Sequence, residues 1–316
     1  GRKTQDLLAG ARVEINPEKR NPLDFALWIK APKEHLLKWK SPWGVGYPGW
    51  HIECSAMSSD LLGQDTFDIH GGGNENIFPH NENEIAQSES HLGKTMANYW
   101  TLWNMVNIDG AKMSKSTGNY TTIKAALKKY NPSVIRLWIL SAHYRSVLDY
   151  SEGALDQAKA NFQRITDFVR NSKTTVNGSA ETELLISKYI ERFEEAMNDD
   201  LNTPLALSVL YELITECNKL LVENKLSSEA AKEVAKAWEK MNKVFGLVIK
   251  KEELKTLSPE ISKLFKDRER AKNRKDFTES DKLRVEMEKK GYIIDDTKNQ
   301  YIYRVKENGR IIKVKY

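Results

Sequence analysis

The spacing of apolar and polar positions changes several times along the chain. Between Gly49 and Gly118, short apolar runs alternate with glycine-rich turns. The run FDIHGGG predicts a strand that leads into a turn, and WTLWNMVNI predicts one buried strand that ends at Asp109-Gly110. Pro79 is placed to begin a helix between them, at the first helical position. Strands that alternate with helices indicate an α/β layer.

Beyond Thr121 the apolar spacing is helical. Two helices are predicted before a linker at about residues 172–182, and three more follow it. Their starts are marked by capping residues, in two cases followed by a proline: Asn131-Pro132, Ser151, Thr203-Pro204 and Ser227-Ser228. The second half of the chain is therefore predicted to be mainly helical.

The pattern changes again at Ser258-Pro259. Two charged helices, the second ending at Gly291, precede three apolar runs with alternating spacing. The Asn308-Gly309 step is typical of a tight hairpin turn. A small α+β unit is therefore predicted to end the chain.

The first 49 residues have a different character. Five prolines interrupt short apolar stretches, and no glycine-rich strand–turn–helix unit opens the segment. Four tryptophans in this part predict packing against another part of the protein: Trp28, Trp39, Trp43 and Trp50.

Composition excludes several classes of protein. With 40% hydrophobic and 29% charged residues, the chain of 316 residues is neither disordered nor membrane-embedded. No apolar run approaches the roughly 18–20 residues that span a bilayer. The two cysteines, Cys54 and Cys217, argue against a disulfide scaffold and fit a reducing compartment. The net charge of +5 permits nucleic-acid binding without establishing it.

The segment Lys112-Met113-Ser114-Lys115-Ser116 lies between two glycines. Two lysines on such a loop can close on a triphosphate and neutralise the charge that builds on departing pyrophosphate. A basic surface turn is the alternative interpretation.

A second set of residues has metal-ligand chemistry. Cys54, His80 and Glu84 offer a thiolate, an imidazole and a carboxylate, all competent zinc ligands. His80 and Glu84 are four residues apart, so a helix from Pro79 would place both on one face. A structural role for all three is the alternative on these residues alone.

Longer segments carry a family resemblance. GWHIECSAM, FDIHGGG, FPHNENEIAQSE, KMSKS, HYRSVLDYSE and DLNTP occur in the order typical of cysteinyl-tRNA synthetases. KMSKS is the signature loop of class I aminoacyl-tRNA synthetases. The chain resembles the C-terminal two-thirds of this family over nearly its whole length.

The resemblance implies a function and a fold. A cysteine–tRNA ligase activates L-cysteine with ATP and Mg²⁺ and transfers it to tRNA(Cys) in protein synthesis. The fold implied is α/β plus all-α: the second half of a class I Rossmann-type catalytic domain, a helical bundle and a small α+β anticodon-binding domain. A cytoplasmic monomer without membrane contact is expected. The domains are expected at 1–49 (the end of an inserted connective segment), 50–120 (catalytic), 121–172 (stem contact), 173–255 (helical bundle) and 256–316 (anticodon binding).

The resemblance also implies roles for individual residues. Cys54, His80 and Glu84 would bind one zinc ion per subunit, which holds the thiol of the substrate cysteine. Trp50 and His70 would surround that cysteine. The remaining roles are catalysis by Lys112 and Lys115, ATP binding by Gly71, Gly72, Gly73 and Lys115, and anticodon binding by Lys272, Phe277, Asp281 and Asp296.

Other interpretations stay open for the anticodon set. Thr278 and Asp281 fit a helix capping box, which would explain Asp281 without RNA. Lys272 lies on a charged helix face, and exposure of that face to solvent explains its charge equally well.

The sequence departs from the family in places. The family has two adjacent histidines where this chain has His80-Asn81, and Glu75 stands where aspartate is common. The His-Ile-Gly-His type motif of the first half of the fold is absent from these 316 residues, as is another zinc-ligand cysteine near it. The chain is therefore expected to be part of a longer enzyme and inactive alone. The cysteine ligase of mycothiol biosynthesis and a non-catalytic tRNA-binding protein are the alternatives, and the terminal residues 259–316 argue against the first.

Overall fold

The computed structural model describes residues 19–114, 118–171, 181–223, 225–249, 258–297, 300–307 and 310–314. The chain divides into two compact units, residues 1–247 and 248–316. The first unit contains eight strands and eight helices among its described residues: β1 (Trp28–Lys30), β2 (Trp39–Ser41), β3 (Gly44–Pro48), α1 (Trp50–Leu62), β4 (Phe67–Gly73), α2 (Glu82–Leu92), β5 (Ala97–Trp103), β6 (Val106–Ile108), β7 (Ala111–Lys112), α3 (Ile123–Lys129), α4 (Pro132–Leu140), β8 (Leu148–Tyr150), α5 (Glu152–Asn171), α6 (Glu181–Asn198), α7 (Thr203–Val222) and α8 (Ser228–Phe245).

A β–α–β unit forms the centre of the first half. β4 and β5 pair in parallel from Phe67↔Ala97 to Gly73↔Trp103, with α2 as the crossover. Phe67, Met96 and Ala97 are buried under this pair. The α/β layer predicted from the alternating pattern is present.

The apolar run WTLWNMVNI forms two strands, so the prediction of one buried strand is wrong. β5 ends at Trp103, and β6 begins at Val106 in a different sheet, of order β7-β6-β8. Asn104 lies at the break, and its backbone N–H donates to the carbonyl of Tyr144 rather than to a strand. The residues of the run are half-buried or exposed.

The turn after β6 confirms the predicted strand end at Asp109-Gly110. Both residues have positive φ, 49° and 77°, as a tight hairpin between β6 and β7 requires. The backbone N–H of Gly110 donates to Asp149 Oδ1 at 2.7 Å, so the hairpin that carries Lys112 is held against β8.

Predicted helix starts are confirmed at three positions. The side chains of Asn131, Ser151 and Ser227 each accept a hydrogen bond from a backbone N–H in the first turn of α4, α5 and α8. The cap predicted at Thr203 is wrong by one residue. Asn202 Oδ1 accepts from the backbone N–H of Leu205 at 3.2 Å, and Thr203 is already helical. The linker predicted at about residues 172–182 falls mainly outside the described residues, with α6 beginning at Glu181.

The helices from α4 to α8 bury apolar side chains between them, and Val134, Trp138, Leu155 and Ala158 form one such cluster. α6 packs on α7 and α8, and α4 packs on α5. The fully buried side chains of α5 to α8 include these aromatic and branched ones: Leu155, Ile165, Phe168, Ile186, Leu210, Leu213, Ile214 and Phe245. No helix in the described ranges is both long and apolar enough to cross a membrane.

The tryptophans of the first segment are less buried than predicted. β1, β3 and β2 form a small antiparallel sheet, which carries Trp28, Trp39 and Trp43, while Trp50 is the first residue of α1. Trp39, Trp43 and Trp50 are 52%, 76% and 58% exposed, and only Trp28 has limited access to solvent. The predicted packing is confirmed for Trp28, which is partly buried and contacts Trp43. It is wrong for Trp39 and Trp43, because a sheet of three short strands has too little area to cover their rings.

The second unit contains α9 (Pro259–Asn273), α10 (Phe277–Lys289) and a sheet of β9 (Tyr292–Thr297), β10 (Gln300–Glu307) and β11 (Arg310–Val314). Ser258 Oγ accepts from the backbone N–H of Ile261 and caps α9. β10 pairs with both neighbours in antiparallel fashion. The two charged helices and the small sheet are confirmed, while the predicted turn at residues 308–309 lies outside the described residues.

Candidate active site and metal centre

Two helices bring three metal-ligand side chains together. Cys54 lies in the second turn of α1, and Glu84 lies in the first turn of α2. His80 lies in a wide helical turn, Ile77–Asn81, just before α2. The ligand atoms of the three residues all lie within 4.8 Å of one another. The structure therefore assembles the predicted metal-binding set.

The start of α2 differs from the prediction. The regular helix begins at Glu82 rather than Pro79, after the wide turn of Ile77–Asn81, in which Phe78 is extended, with φ −137° and ψ 130°. A residue before proline is disfavoured in the helical conformation. His80 and Glu84 nevertheless meet, with His80 Nε2 2.8 Å from Glu84 Oε1.

The distances between the ligand atoms test whether zinc fits. Tetrahedral zinc with its usual bond lengths places a thiolate sulfur and an imidazole nitrogen about 3.6 Å apart, and Cys54 Sγ lies 3.6 Å from His80 Nε2. The same geometry places nitrogen and carboxylate oxygen about 3.4 Å apart, so the 2.8 Å contact of His80 with Glu84 needs a small rotation of the carboxylate. These three donors leave a position of a tetrahedral site for a further ligand.

Glu84 carries the strongest structural indication of a cation site. Its side chain is fully buried, with 0% exposure. His70 Nε2 lies 2.7 Å from Oε2 and His80 Nε2 lies 2.8 Å from Oε1, yet neither oxygen has a hydrogen-bond donor in good geometry. A buried carboxylate without a full set of partners is costly, and a cation between Cys54, His80 and Glu84 would satisfy it.

The pKa values follow from the same surroundings. Burial, followed by the interaction with Glu84, raises the pKa of the Cys54 thiol to about 11. Burial by itself would raise the pKa of Glu84, but the contacts with His70 and Cys54 outweigh it and lower the pKa. Cys54 is therefore a thiol at neutral pH until a bound cation stabilises the thiolate.

Aromatic side chains form the walls around these three residues. Trp50 stacks on His80 with ring centroids 4.0 Å apart, and His70 stacks on Trp100 at 4.2 Å. Trp50 and His70, the predicted cysteine-binding residues, thus each contact one member of the metal-binding set. Trp50 remains 58% exposed, which leaves its face accessible at the mouth of the site.

His51 is a member of the site that the sequence interpretation missed. Its Nδ1 lies 2.8 Å from His80 Nδ1, so it holds the ring nitrogen that faces away from Cys54. Such a partner fixes the tautomer of a metal-binding histidine. His51 and Cys54 are three residues apart on α1, so they lie on one face of the helix. This spacing could have indicated that His51 belongs to the site.

The glycine run lies at the end of β4, beside β5. A Cβ atom at Gly71 would lie 2.6 Å from Cζ3 of Trp103, whereas one at Gly72 would meet nothing closer than 3.9 Å. Packing against Trp103 therefore requires glycine at position 71. No neighbouring side chain explains Gly72, so the predicted approach of ATP remains a prediction there.

Alanine substitutions are expected to separate these two roles. Gly71→Ala is expected to lower the free energy of unfolding by roughly 1 kcal/mol, because Trp103 must move aside. Gly72→Ala is expected to leave stability within about 0.5 kcal/mol of the parent but to weaken ATP binding. Urea denaturation and ATP titration measure the two effects. Equal loss of stability in both variants would contradict this assignment.

The lysine loop is described at its two ends. Lys112 lies on β7 and is exposed, while Lys115 falls outside the described residues. Asn119 closes the loop, since its Nδ2 donates to the carbonyl of Lys112 and its Oδ1 accepts from the backbone N–H of Ser114, both at 3.0 Å. Gly118, with φ 75°, allows the return of the chain.

The second unit places the anticodon-binding candidates on α9, α10 and β9. Phe277 is the first residue of α10 and is 62% exposed, and Asp281 is exposed four residues later, on the same face. Asp276 Oδ1 caps α10 by accepting from the backbone N–H of Glu279 at 3.1 Å. The capping-box explanation of Asp281 is therefore wrong.

The other two anticodon candidates are less informative. Lys272 is half-buried near the end of α9. Asp296 lies in β9 with its Cα opposite Tyr301, and its side chain falls outside the described residues. All four assignments stay predictions.

Comparison with known families identifies the class of protein. Residues 1–160 match the family described as tRNA synthetases class I (C) catalytic domain. Residues 192–250 match a DALR domain, and residues 254–304 match the Cysteinyl-tRNA ligase anticodon binding domain. The chain belongs to the class I tRNA synthetases, and the predicted fold class and family resemblance are confirmed.

Individual relatives narrow the resemblance further. The chain is 43% identical over 317 residues to the protein named Cysteine--tRNA ligase in Chlorobium chlorochromatii, covering 97% of this chain and 65% of that protein. It is 43% identical over 318 residues to the protein of the same name in Thermococcus gammatolerans, covering 96% and 66%. The chain thus spans slightly less than two thirds of the length of these relatives.

One solved structure shows a slight likeness. The ternary complex of Agrobacterium radiobacter K84 agnB2 LeuRS with tRNA and LeuAMS matches 65% of this chain and 32% of its own, with a TM-score of 0.49 and 13% identity. Nothing about function follows from a likeness at this level.

Proposed function

We propose that this chain is the larger part of a cysteine–tRNA ligase, which activates L-cysteine with ATP and Mg²⁺ and esterifies it to tRNA(Cys). The observation that carries the proposal is the cluster of Cys54, His80 and Glu84 beside the glycine run of β4. The cluster matches zinc in donor chemistry and in the spacing of Cys54 and His80. Its relatives are named for the same reaction.

The residues of the site have separable tasks in this reaction. When bound, zinc would supply a soft Lewis acid that prefers a thiolate to a hydroxyl group. His51 and His70 orient His80 and Glu84 through the contacts described above. The open face of Trp50 would border the bound cysteine. Specificity for cysteine would therefore reside between α1 and α2.

The phosphate chemistry would take place at the glycine run that ends β4 and at the lysine loop after β7. The carboxylate of cysteine attacks the α-phosphorus of ATP, and the bond to pyrophosphate breaks. Gly72 allows the nucleotide to approach the backbone closely. Lys112 and Lys115 would neutralise the charge that develops on pyrophosphate. The 3′-terminal hydroxyl of the tRNA then attacks the activated carbonyl, and AMP leaves.

The second unit would supply recognition of the tRNA. An exposed phenylalanine can stack on an unpaired base, and a carboxylate can accept from a base edge. Phe277 and Asp281 present both groups on one face of α10. The match of residues 254–304 to an anticodon-binding domain supports this role.

The experiment that tests the proposal is cysteine-dependent exchange of pyrophosphate into ATP. The chain is assayed alone and then mixed with the N-terminal third of a relative such as the Chlorobium protein. We expect no exchange above background from the chain alone and recovery on mixing, because the relatives have residues that this chain does not span. Serine in place of cysteine serves as the matched control. Exchange that is equally fast with serine would contradict the proposal.

A further inference from the structure

Two short segments that the proposed reaction does not use meet in the first unit. They are HYRS, at residues 143–146 between α4 and β8, and DLNTP, at 200–204 where α7 begins. Tyr144 Oη donates to Asp200 Oδ1 at 2.7 Å, and Arg145 Nε lies 2.7 Å from Oδ2. His143 Nε2 lies 3.0 Å from the backbone carbonyl oxygen of Asp200. Three consecutive side chains thus converge on one residue of a distant turn.

The turn that receives these contacts has an unusual backbone. Asp200 and Leu201 have φ of 52° and 57°, a region that residues other than glycine adopt uncommonly. Two such residues in succession persist only where the surroundings fix them. The contacts from the HYRS loop therefore hold the α6–α7 hairpin in one conformation against that loop.

The opposite side of the loop is fastened to the β4–β5 sheet. The backbone N–H of Asn104 donates to the carbonyl of Tyr144, and Asn104 Nδ2 donates to the carbonyl of Arg145, both at 2.9 Å. The ring of Tyr144 packs edge-on against Trp103, with centroids 6.2 Å apart. Trp103 is the partner of Gly73 in the sheet register. Asn104 therefore connects the loop to the end of β5, the strand that pairs with the glycine run of β4.

The same strand end leads to the lysine loop. β6 begins two residues after Asn104 and pairs with β7, which carries Lys112. The path from the helical hairpin to both proposed phosphate-binding segments thus consists of direct contacts between neighbouring residues. These contacts are hydrogen bonds, a ring contact and strand pairings, joined by short stretches of chain.

We infer that Asp200 is a positioning residue: with His143, Tyr144 and Arg145 it forms a latch that fastens the α6–α7 hairpin to the strand end supporting Gly71–Gly73 and Lys112. The contacts of the latch do not depend on the proposed function. Its purpose, which is to align the helices with the phosphate site, rests on that function. The consequence is that the helical part and the nucleotide-binding edge move as one body. An RNA held by the helices would then be presented to the site at a fixed distance.

The simplest alternative is an exposed ion pair that stabilises only its own turn. Hydrogen exchange of the full 316-residue chain distinguishes this alternative from the latch. The N–H of Asn104 lies on the side of the HYRS loop opposite Asp200, so it responds only if the effect passes through the loop. Asp200→Asn keeps the size of the side chain and its tolerance of positive φ but removes the charge. We expect exchange of the Asn104 amide to become faster by about threefold or more, as for the loss of a surface ion pair that holds a structure closed.

The chain offers a matched control. Arg192 Nη1 lies 2.6 Å from Glu212 Oε2 and links the same two helices, α6 and α7, without touching the HYRS loop. Glu212→Gln makes the same change of charge and is expected to leave exchange at Asn104 unchanged. Tyr144→Phe removes the hydrogen bond that Tyr144 donates to Asp200 and the one it accepts from Arg145 Nε, but it keeps the ion pair of Arg145 with Asp200. It is the milder second variant and is expected to give a smaller increase at the same amide.

The outcomes are distinct. Faster exchange confined to residues 199–203 in Asp200→Asn, or an equal increase at Asn104 in Glu212→Gln, would overturn the latch. A second readout uses the chain completed with the N-terminal third of a relative. Asp200→Asn is expected to lower kcat for transfer to tRNA several-fold with KM for ATP unchanged, and Asp200→Glu to restore part of it. Absent pyrophosphate exchange in the parent would overturn the proposed function, while the hydrogen-exchange comparison would still decide on the latch.

Discussion

Replacing Cys54 by serine is expected to abolish zinc binding to this chain. The substitution exchanges a soft thiolate for a hydroxyl that is not ionised at neutral pH, and it leaves only His80 and Glu84 as donors. The loss of affinity should exceed the roughly 10- to 100-fold that follows from changes in residues behind the ligands. Metal analysis of the purified variant measures this directly, and an unchanged zinc content would refute the assignment.

The second cysteine provides the control for this experiment. Cys217 is buried in α7, where burial raises the pKa of its thiol to about 12. Cys217→Ala is expected to lower stability without changing the zinc content. In the completed enzyme, Cys54→Ser is also expected to lose selectivity against serine, because an apolar pocket separates such similar side chains poorly.

Replacing Lys115 by alanine is expected to slow adenylate formation by about 10²- to 10³-fold. The charge of this lysine matters most as pyrophosphate departs, so the loss should fall on kcat rather than on KM for cysteine. Stopped-flow or pyrophosphate-exchange kinetics of the completed enzyme measure the two constants separately.

The control for Lys115 is a lysine from the next element. Lys124 is exposed on α3, shortly after the loop, and Lys124→Ala removes the same charge from the same region. Its exchange rate is expected to stay within about threefold of the parent, as for a screened surface charge. A change confined to KM for cysteine in Lys115→Ala would count against its catalytic role.

Features that depend on neighbouring residues were predictable from the sequence. Asn131, Ser151 and Ser227 cap helices because a short polar side chain needs only a backbone N–H two or three residues away. Where two adjacent residues can cap, the pattern does not decide between them. Asn202 caps α7 in place of the neighbouring Thr203, and Asp276, two residues before Thr278, caps α10. The prediction missed both.

Features that depend on distant residues were not predictable from local pattern. The run from Trp100 to Ile108 is mainly apolar, and at its break Asn104 makes contacts with Tyr144 and Arg145, some 40 positions away. The metal-binding set shows the same limit. Spacing alone relates His80 to Glu84, whereas placing Cys54 beside them relied on the family resemblance.

The strand connections of the two units imply different rates of folding. In the second unit, β9, β10 and β11 follow one another and pair only with their neighbours in sequence. In the first unit, β6 must find β8, with Val106 opposite Leu148, and the helical hairpin must close on the HYRS loop. Chains rich in local pairings fold faster than those that must first close long loops. Residues 258–314 are therefore expected to acquire their structure early in refolding, while the first unit limits the overall rate.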